Sequence, residues 1–249
     1  MVSPRHPVIL KQKKALAPNT LELTYVREDE AVISYLPGQF FSLDFPHQGE
    51  EKTRSYSAAG RVPDLKNNRE FRFAITAVPN GAASDYFFNA TPGDRAKMSG
   101  PFGALILPPV DPHRYLLIGT GTGVAPYRAM LPEIERRLRA NTALRVELVM
   151  GVRNPQELIY GEEFVEAATR YMGFRFHACY SRQMPATPQA HEQAGRVQVL
   201  FETLEPNPEQ DMVYICGNPD MVEEAGSWFL ARDFSPRRVK REKYKFSTL

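Results

Sequence analysis

"RYLLIGTGTGVAPYRAMLPEIERRLRAN", residues 114–141, decides how this chain is read. RYLLIG is an apolar run with the character of a buried strand, and Val124–Ala140 carries the spacing of a helix. Between them lies GTGTGVAP, residues 119–126, a turn with almost no side chain. A strand, a glycine-rich turn and a helix start together offer backbone N–H groups to a phosphate. The spacing is not the dinucleotide fingerprint G-x-G-x-x-G, because Val124 stands where the third glycine belongs. Small residues still allow a pyrophosphate close to the backbone. A tight strand-to-helix turn with no ligand is the plainer alternative.

Downstream, the same rhythm repeats. LRVELVMGV (144–152), FRFHACY (174–180) and DMVYICG (211–217) read as strands. They alternate with helical stretches near 162–171, 197–204 and 219–233. Such alternation predicts a parallel sheet with helices on both faces. Upstream, short segments such as HPVIL, LELTYV, FFSLDF, RSYSAA and EFRFAIT are punctuated by Pro, Gly, Asn and Asp. They predict a small all-β barrel or sandwich with one helix near Ala83–Asn89. The change of rhythm falls at the proline-stiffened LPPVDPH, residues 107–113.

Composition narrows the class further. The 249 residues are 43% apolar and 24% charged, ordinary for a soluble globular protein, and a length that suits two modest domains. The net charge of +2 gives no long-range argument for nucleic acid or a membrane. Cys179 and Cys216 are the only cysteines, too few for a disulfide framework, a metal site or an iron–sulfur cluster. No signal-peptide or transmembrane run is visible, so a reducing cytoplasm is the expected setting.

Strand ends carry the remaining signals. The acidic residue that binds an adenosine ribose at the end of the second strand is missing; MGVRN puts Arg153 there, which suits a 2′-phosphate better. CYSRQ adds Ser181 and Arg182, and AGRV adds Arg196. Three arginines at neighbouring strand ends would form a phosphate cage; three solvated surface arginines are the alternative. In TRSYSAAG (53–60), Arg54 and Tyr56 fall on one face of a strand, Ser55 and Ser57 on the other. PNGAAS offers Ser84 as a helix N-cap and a second anion site. Cys216 ends a buried strand and is expected to face the crevice mouth, whereas Cys179 is inert packing.

Taken together, PGQF (37–40), RSYS (54–57), GxxS (81–84), GPFG (100–103), GTGTGVAP, GVRN (151–154), YSR (180–182) and CGNPDMV (216–222) resemble the ferredoxin–NADP(+) reductase family of flavoproteins, bacterial type. The motifs occur in that family's order over nearly the whole chain. The resemblance implies a two-domain fold: an N-terminal antiparallel β-barrel binding FAD over 1–108, then an α/β parallel-sheet domain binding NADP(H) over 109–249. It implies that Tyr56 stacks on the isoalloxazine, that Arg54 pairs with the flavin phosphate, and that Ser57 bonds near the reactive nitrogen, with Ser55 beside them. Ser84 would meet the FAD pyrophosphate. Thr120, Gly121 and Thr122 would meet the NADP(H) pyrophosphate, and Ser181, Arg182, Arg196 and Arg153 the 2′-phosphate. Cys216 would border the nicotinamide, Glu242 would help proton balance, and Tyr244 or Phe246 would contact the flavin.

The function so implied is hydride transfer between NADP(H) and flavin, coupled to single-electron exchange with ferredoxin or flavodoxin. Such carriers are acidic, and KQKK (11–14), RR (136–137) and RRVKREKYK (237–245) would supply a basic rim. Two alternatives are a reductase component of an oxygenase with a separate iron–sulfur partner, and a non-catalytic flavin- or nucleotide-binding sensor.

Overall fold

The computed structural model describes residues 4–62, 64 and 67–244. These form two compact units. One comprises residues 4–107 and 125–132, the other residues 108–124 and 133–244.

The first unit is built on strands β1 (Arg5–Ala17), β2 (Thr20–Arg27), β3 (Phe40–His47), β4 (Glu50–Ser57), β5 (Glu70–Thr76) and β6 (Arg95–Phe102). They pair antiparallel in the order β4-β3-β6-β1-β2-β5. A bridge between Ala58 and Phe73 joins the two ends of that order, and the Ala59 N–H donates to the Arg72 carbonyl at 2.8 Å. The sheet therefore closes into a barrel, which removes its free edges. Alternation along each strand sends Val8, Leu23, Phe41, Leu43 and Phe73 into the core. Helix α1 (Ala82–Asn89) packs Phe87 against Phe45 and, edge-on, against Tyr56. Lys13 donates to the Phe88 and Ala90 carbonyls at the C-terminal end of that helix.

The second unit has strands β7 (Arg114–Thr120), β8 (Arg145–Val152), β9 (Phe174–Tyr180), β10 (Glu192–Ala194), β11 (Asp211–Gly217) and β12 (Val239–Lys243). All pair parallel, in the order β10-β9-β8-β7-β11-β12. From β7 the chain steps outward through β8, β9 and β10, then returns to the other side of β7 as β11. The loops leaving β7 and β11 therefore diverge, which opens a crevice at this switch point. Helices α2 (Ala125–Ala140), α3 (Gly161–Arg170) and α4 (Pro219–Leu230) follow β7, β8 and β11. The first two turns of α2, residues 125–132, group with the barrel unit.

Within that barrel unit lies a buried ion pair. Arg128 donates to Glu22 on β2 at 2.9 Å and to the Ala59 carbonyl at 2.8 Å, with both side chains less than a tenth exposed.

Three expectations change. The helix foreseen at 197–204 is only a 3-10 turn over Val197–Leu200. Two β-branched valines weaken a helix there, and Pro206 and Pro208 prevent its continuation. β10 carries no strand signal in its sequence and exists through its pairing with β9, reinforced by the Tyr180 hydroxyl donating to Glu192 at 2.7 Å. The basic runs are largely committed to partners: Arg137 is buried against Glu133 and Asp111, Arg136 pairs with Glu133, and Arg241 and Lys243 face Glu223.

Candidate cofactor-binding sites

At the switch point, β7 and β11 run in register so that Gly119 lies opposite Cys216. The turn after β7 is a 3-10 turn, Gly121–Val124, leading directly into α2. It is pressed against the end of β11. A β-carbon at Gly123 would collide with the Cys216 carbonyl, and one at Gly217 would sit 2.5 Å from the Thr120 hydroxyl. The glycines are thus what allow the two strand ends to meet. Thr120 Oγ1 accepts the Asn218 N–H at 3.0 Å, tying the loops together. Gly121, at φ +53°, faces open space where its side chain would be. A ligand can therefore approach its backbone.

Cys216, the penultimate residue of β11, is wholly buried. Strand β12 places Glu242 opposite it, and Tyr244 at the end of that strand covers it. The Tyr244 N–H donates to the Gly217 carbonyl at 2.9 Å and its hydroxyl donates to the Thr122 carbonyl at 3.1 Å. The same side chain shares a hydrogen bond with the Cys216 thiol. Burial, with the Glu242 charge adding to it, pushes the thiol well above its usual range, so Cys216 is a neutral thiol at physiological pH. Phe246 lies outside the described residues.

The strand-end arginines converge through the backbone. The Ser181 N–H donates to the Val152 carbonyl at 2.9 Å, and the Arg182 N–H to the Arg153 carbonyl at 3.0 Å. Gly195 N–H donates to Tyr180, so Arg196 leaves β10 beside Ser181 leaving β9. Arg182 and Arg196 are exposed, and among the described residues no carboxylate pairs with either. Arg153 is different. Glu157, four residues on, takes its Nε at 2.8 Å and its Nη2 at 2.6 Å. An acid therefore does stand at the end of β8, although the sequence around MGVRN has none. Asn154 caps the short turn Pro155–Glu157 and folds the chain back; the N-P-Q-E spacing was the signal.

On the barrel, the pairing of β3 with β4 sets Arg54 opposite Leu43 and Tyr56 opposite Phe41, while the Ser55 hydroxyl lies 3.0 Å from that of Ser42. The two-faced strand is as the alternation implies. Arg54 donates to the Thr53 carbonyl at 2.8 Å and, among the described residues, pairs with no carboxylate. Ser57 is buried at the end of β4. Ser84 is not a helix N-cap. Gly81 takes that position, and Ser84 lies inside the first turn, its Oγ accepting the Val78 N–H at 2.6 Å. The helix starts one residue before the expected Ala83, which moves the serine inward.

Residues 7–106 match the family described as "Oxidoreductase FAD-binding domain", and residues 117–226 match "Oxidoreductase NAD-binding domain". The chain is 32% identical over 215 residues to Ferredoxin--NADP reductase B of Sorangium cellulosum, covering 84% of each chain. It is 29% identical over 235 residues to the toluate 1,2-dioxygenase electron transfer component of Pseudomonas putida, covering 94% of this chain and 66% of that one. The Amycolatopsis cytochrome P450 reductase GcoB matches with a TM-score of 0.83 and 27% identity, over 100% of this chain and 72% of that one. The chain belongs to the ferredoxin–NADP reductase family of flavin-dependent oxidoreductases. It spans just under two thirds of the length of the toluate component, and among the described residues no helix is long and apolar enough to cross a membrane.

Proposed function

We propose that this chain is a cytoplasmic, NADPH-dependent flavoprotein reductase that passes single electrons to ferredoxin or flavodoxin. Residues 1–108 bind FAD and residues 109–249 bind NADP(H). The observation that carries this reading is the crevice at the ends of β7 and β11, where a glycine-rich turn meets a neutral, buried Cys216. Bound FAD and nicotinamide nucleotide together supply two-electron hydride exchange and one-electron release.

The chain's own residues hold and shield these groups. Thr120, Gly121 and Thr122 offer backbone and hydroxyl groups to the nucleotide pyrophosphate at the start of α2. The open space at Gly121 fits such a group. Arg182, Arg196, Ser181 and Arg153 bind the 2′-phosphate, where guanidinium forks match phosphate oxygens. Arg54 takes the flavin phosphate, and its lack of a carboxylate partner among the described residues supports this. Tyr56, braced by Phe87, offers a ring for stacking, with Ser55 and Ser57 on the strand beside it. Ser84 already accepts one N–H, so its hydroxyl proton is available to a pyrophosphate oxygen. Cys216, uncharged, forms an inert wall beside the nicotinamide and excludes water; Glu242 balances protons nearby, and Tyr244 closes the crevice.

A second reading, the reductase component of an oxygenase system, is favoured by the likeness to the toluate component and to GcoB. The two are separated by mixing FAD-loaded protein anaerobically with NADPH and, in turn, purified ferredoxin, flavodoxin or an oxygenase iron–sulfur protein. Fast reduction of ferredoxin or flavodoxin supports the first reading. Reduction of the oxygenase protein alone supports the second.

A further inference from the structure

The 2′-phosphate corner contains a carboxylate that opposes it. Glu157 grips Arg153 along one edge, at Nε and Nη2, and also accepts the Arg153 backbone N–H at 3.3 Å. Asn154 approaches the same carboxylate at 3.4 Å, and the Asn154 cap fixes the turn that carries Glu157. The acid is half-buried and held, not a side chain swinging in solvent. It leaves the remaining Nη1 edge of Arg153 for a ligand. The guanidinium is thus aimed, while its positive charge is largely offset. Arg182 and Arg196 have no such counter-charge among the described residues.

We propose that Glu157 is a specificity residue: it positions Arg153 at the end of β8 and, by offsetting that charge, limits the preference for 2′-phosphorylated over unphosphorylated nicotinamide nucleotides. The proposal rests on the NADP(H) reading of this corner. A carboxylate on one edge of a guanidinium and a phosphate dianion on the other lie about 7 Å apart, which weakens the phosphate by roughly five-fold in low-salt water. Neutralising the acid while keeping its acceptor oxygen removes that penalty without releasing Arg153.

The test is calorimetric binding of 2′,5′-ADP and of 5′-ADP to the FAD-loaded protein, with Glu157→Gln and Arg153→Gln. Glu157→Gln is expected to tighten 2′,5′-ADP about five-fold at low ionic strength and leave 5′-ADP within two-fold. The gain shrinks towards unity as salt is raised. Arg153→Gln is expected to weaken 2′,5′-ADP several-fold less than Arg182→Ala does, because its charge is already offset. A merely structural acid would weaken both ligands together and show no salt dependence. The proposal is overturned if Glu157→Gln leaves 2′,5′-ADP unchanged or weaker, or if Arg153→Gln costs as much as Arg182→Ala. If the parent protein binds 2′,5′-ADP no better than 5′-ADP, the NADP(H) reading itself falls, and this proposal with it.

Discussion

Replacing Arg128 with methionine tests the buried pair at the heart of the barrel unit. The guanidinium donates to Glu22 at 2.9 Å and to the Ala59 carbonyl at 2.8 Å, and the two side chains are 9% and 8% exposed. Removing one partner leaves a carboxylate in a place water scarcely reaches. Breaking such a pair costs about 3–5 kcal/mol, whereas replacing both partners by apolar groups is near neutral. Against a total stability of about 5–15 kcal/mol, the single change is severe. At about 2–4 °C per kcal/mol, Tm should fall by roughly 10 °C. Glu22→Leu alone should also destabilise, because it takes the counter-charge away from a buried guanidinium. Arg128→Met with Glu22→Leu should recover at least about 2 kcal/mol relative to the sum of the two. Urea unfolding followed by far-UV circular dichroism gives the energies. Hydrogen exchange of β2 and of residues 58–60 shows whether the loss is local to the barrel. A single-mutant cost below about 1 kcal/mol, or strictly additive effects, would refute the reasoning.

Other outcomes follow from the same geometry. Arg182→Ala should weaken NADPH binding by about ten- to one hundred-fold, the loss of a charge-assisted hydrogen bond, and leave NADH within two-fold; equal losses would remove the phosphate cage. Gly123→Val should abolish reduction of the flavin by nicotinamide nucleotide while FAD content stays unchanged, because its β-carbon meets the backbone carbonyl of Cys216, which cannot swing aside as a flexible side chain could. Flavin absorbance before and after NADPH separates the two effects. Burial raises Cys179 from 9.0 to about 12 and Tyr35 from 10.0 to about 12. Their folded forms hold protons that the unfolded chain releases, so stability is fully present below pH 9 and declines from there towards pH 12. Urea midpoints measured from pH 8 to 11 should fall accordingly, and Cys179→Ala should flatten the slope.

The fold was legible because its periodicities are strong. Alternation in FFSLDF and EFRFAIT set barrel strands, and RYLLIG, LRVELVMGV and DMVYICG set parallel ones. What escaped depends on long-range pairing. β10 has no pattern of its own and exists through its pairing with β9. At the site, strand-end position was the signal for Arg153 and Arg182, since parallel strands all end on the same side, whereas Arg196 follows β10, which has no such signal. The Glu157 carboxylate was missed because it returns to the strand end through a capped turn rather than standing in the strand. The covering of Cys216 by Tyr244 and the pairing of Arg128 with Glu22 join residues far apart in sequence, and no local pattern records either.

The most direct test of the central claim is an anaerobic titration of the FAD-loaded protein with NADPH and, separately, with NADH, following the visible flavin bands. A reductase with a 2′-phosphate corner bleaches near one equivalent of NADPH and requires far more NADH. A yellow protein that neither nucleotide bleaches would contradict the assignment of a hydride-transfer site and leave a flavin-binding module instead.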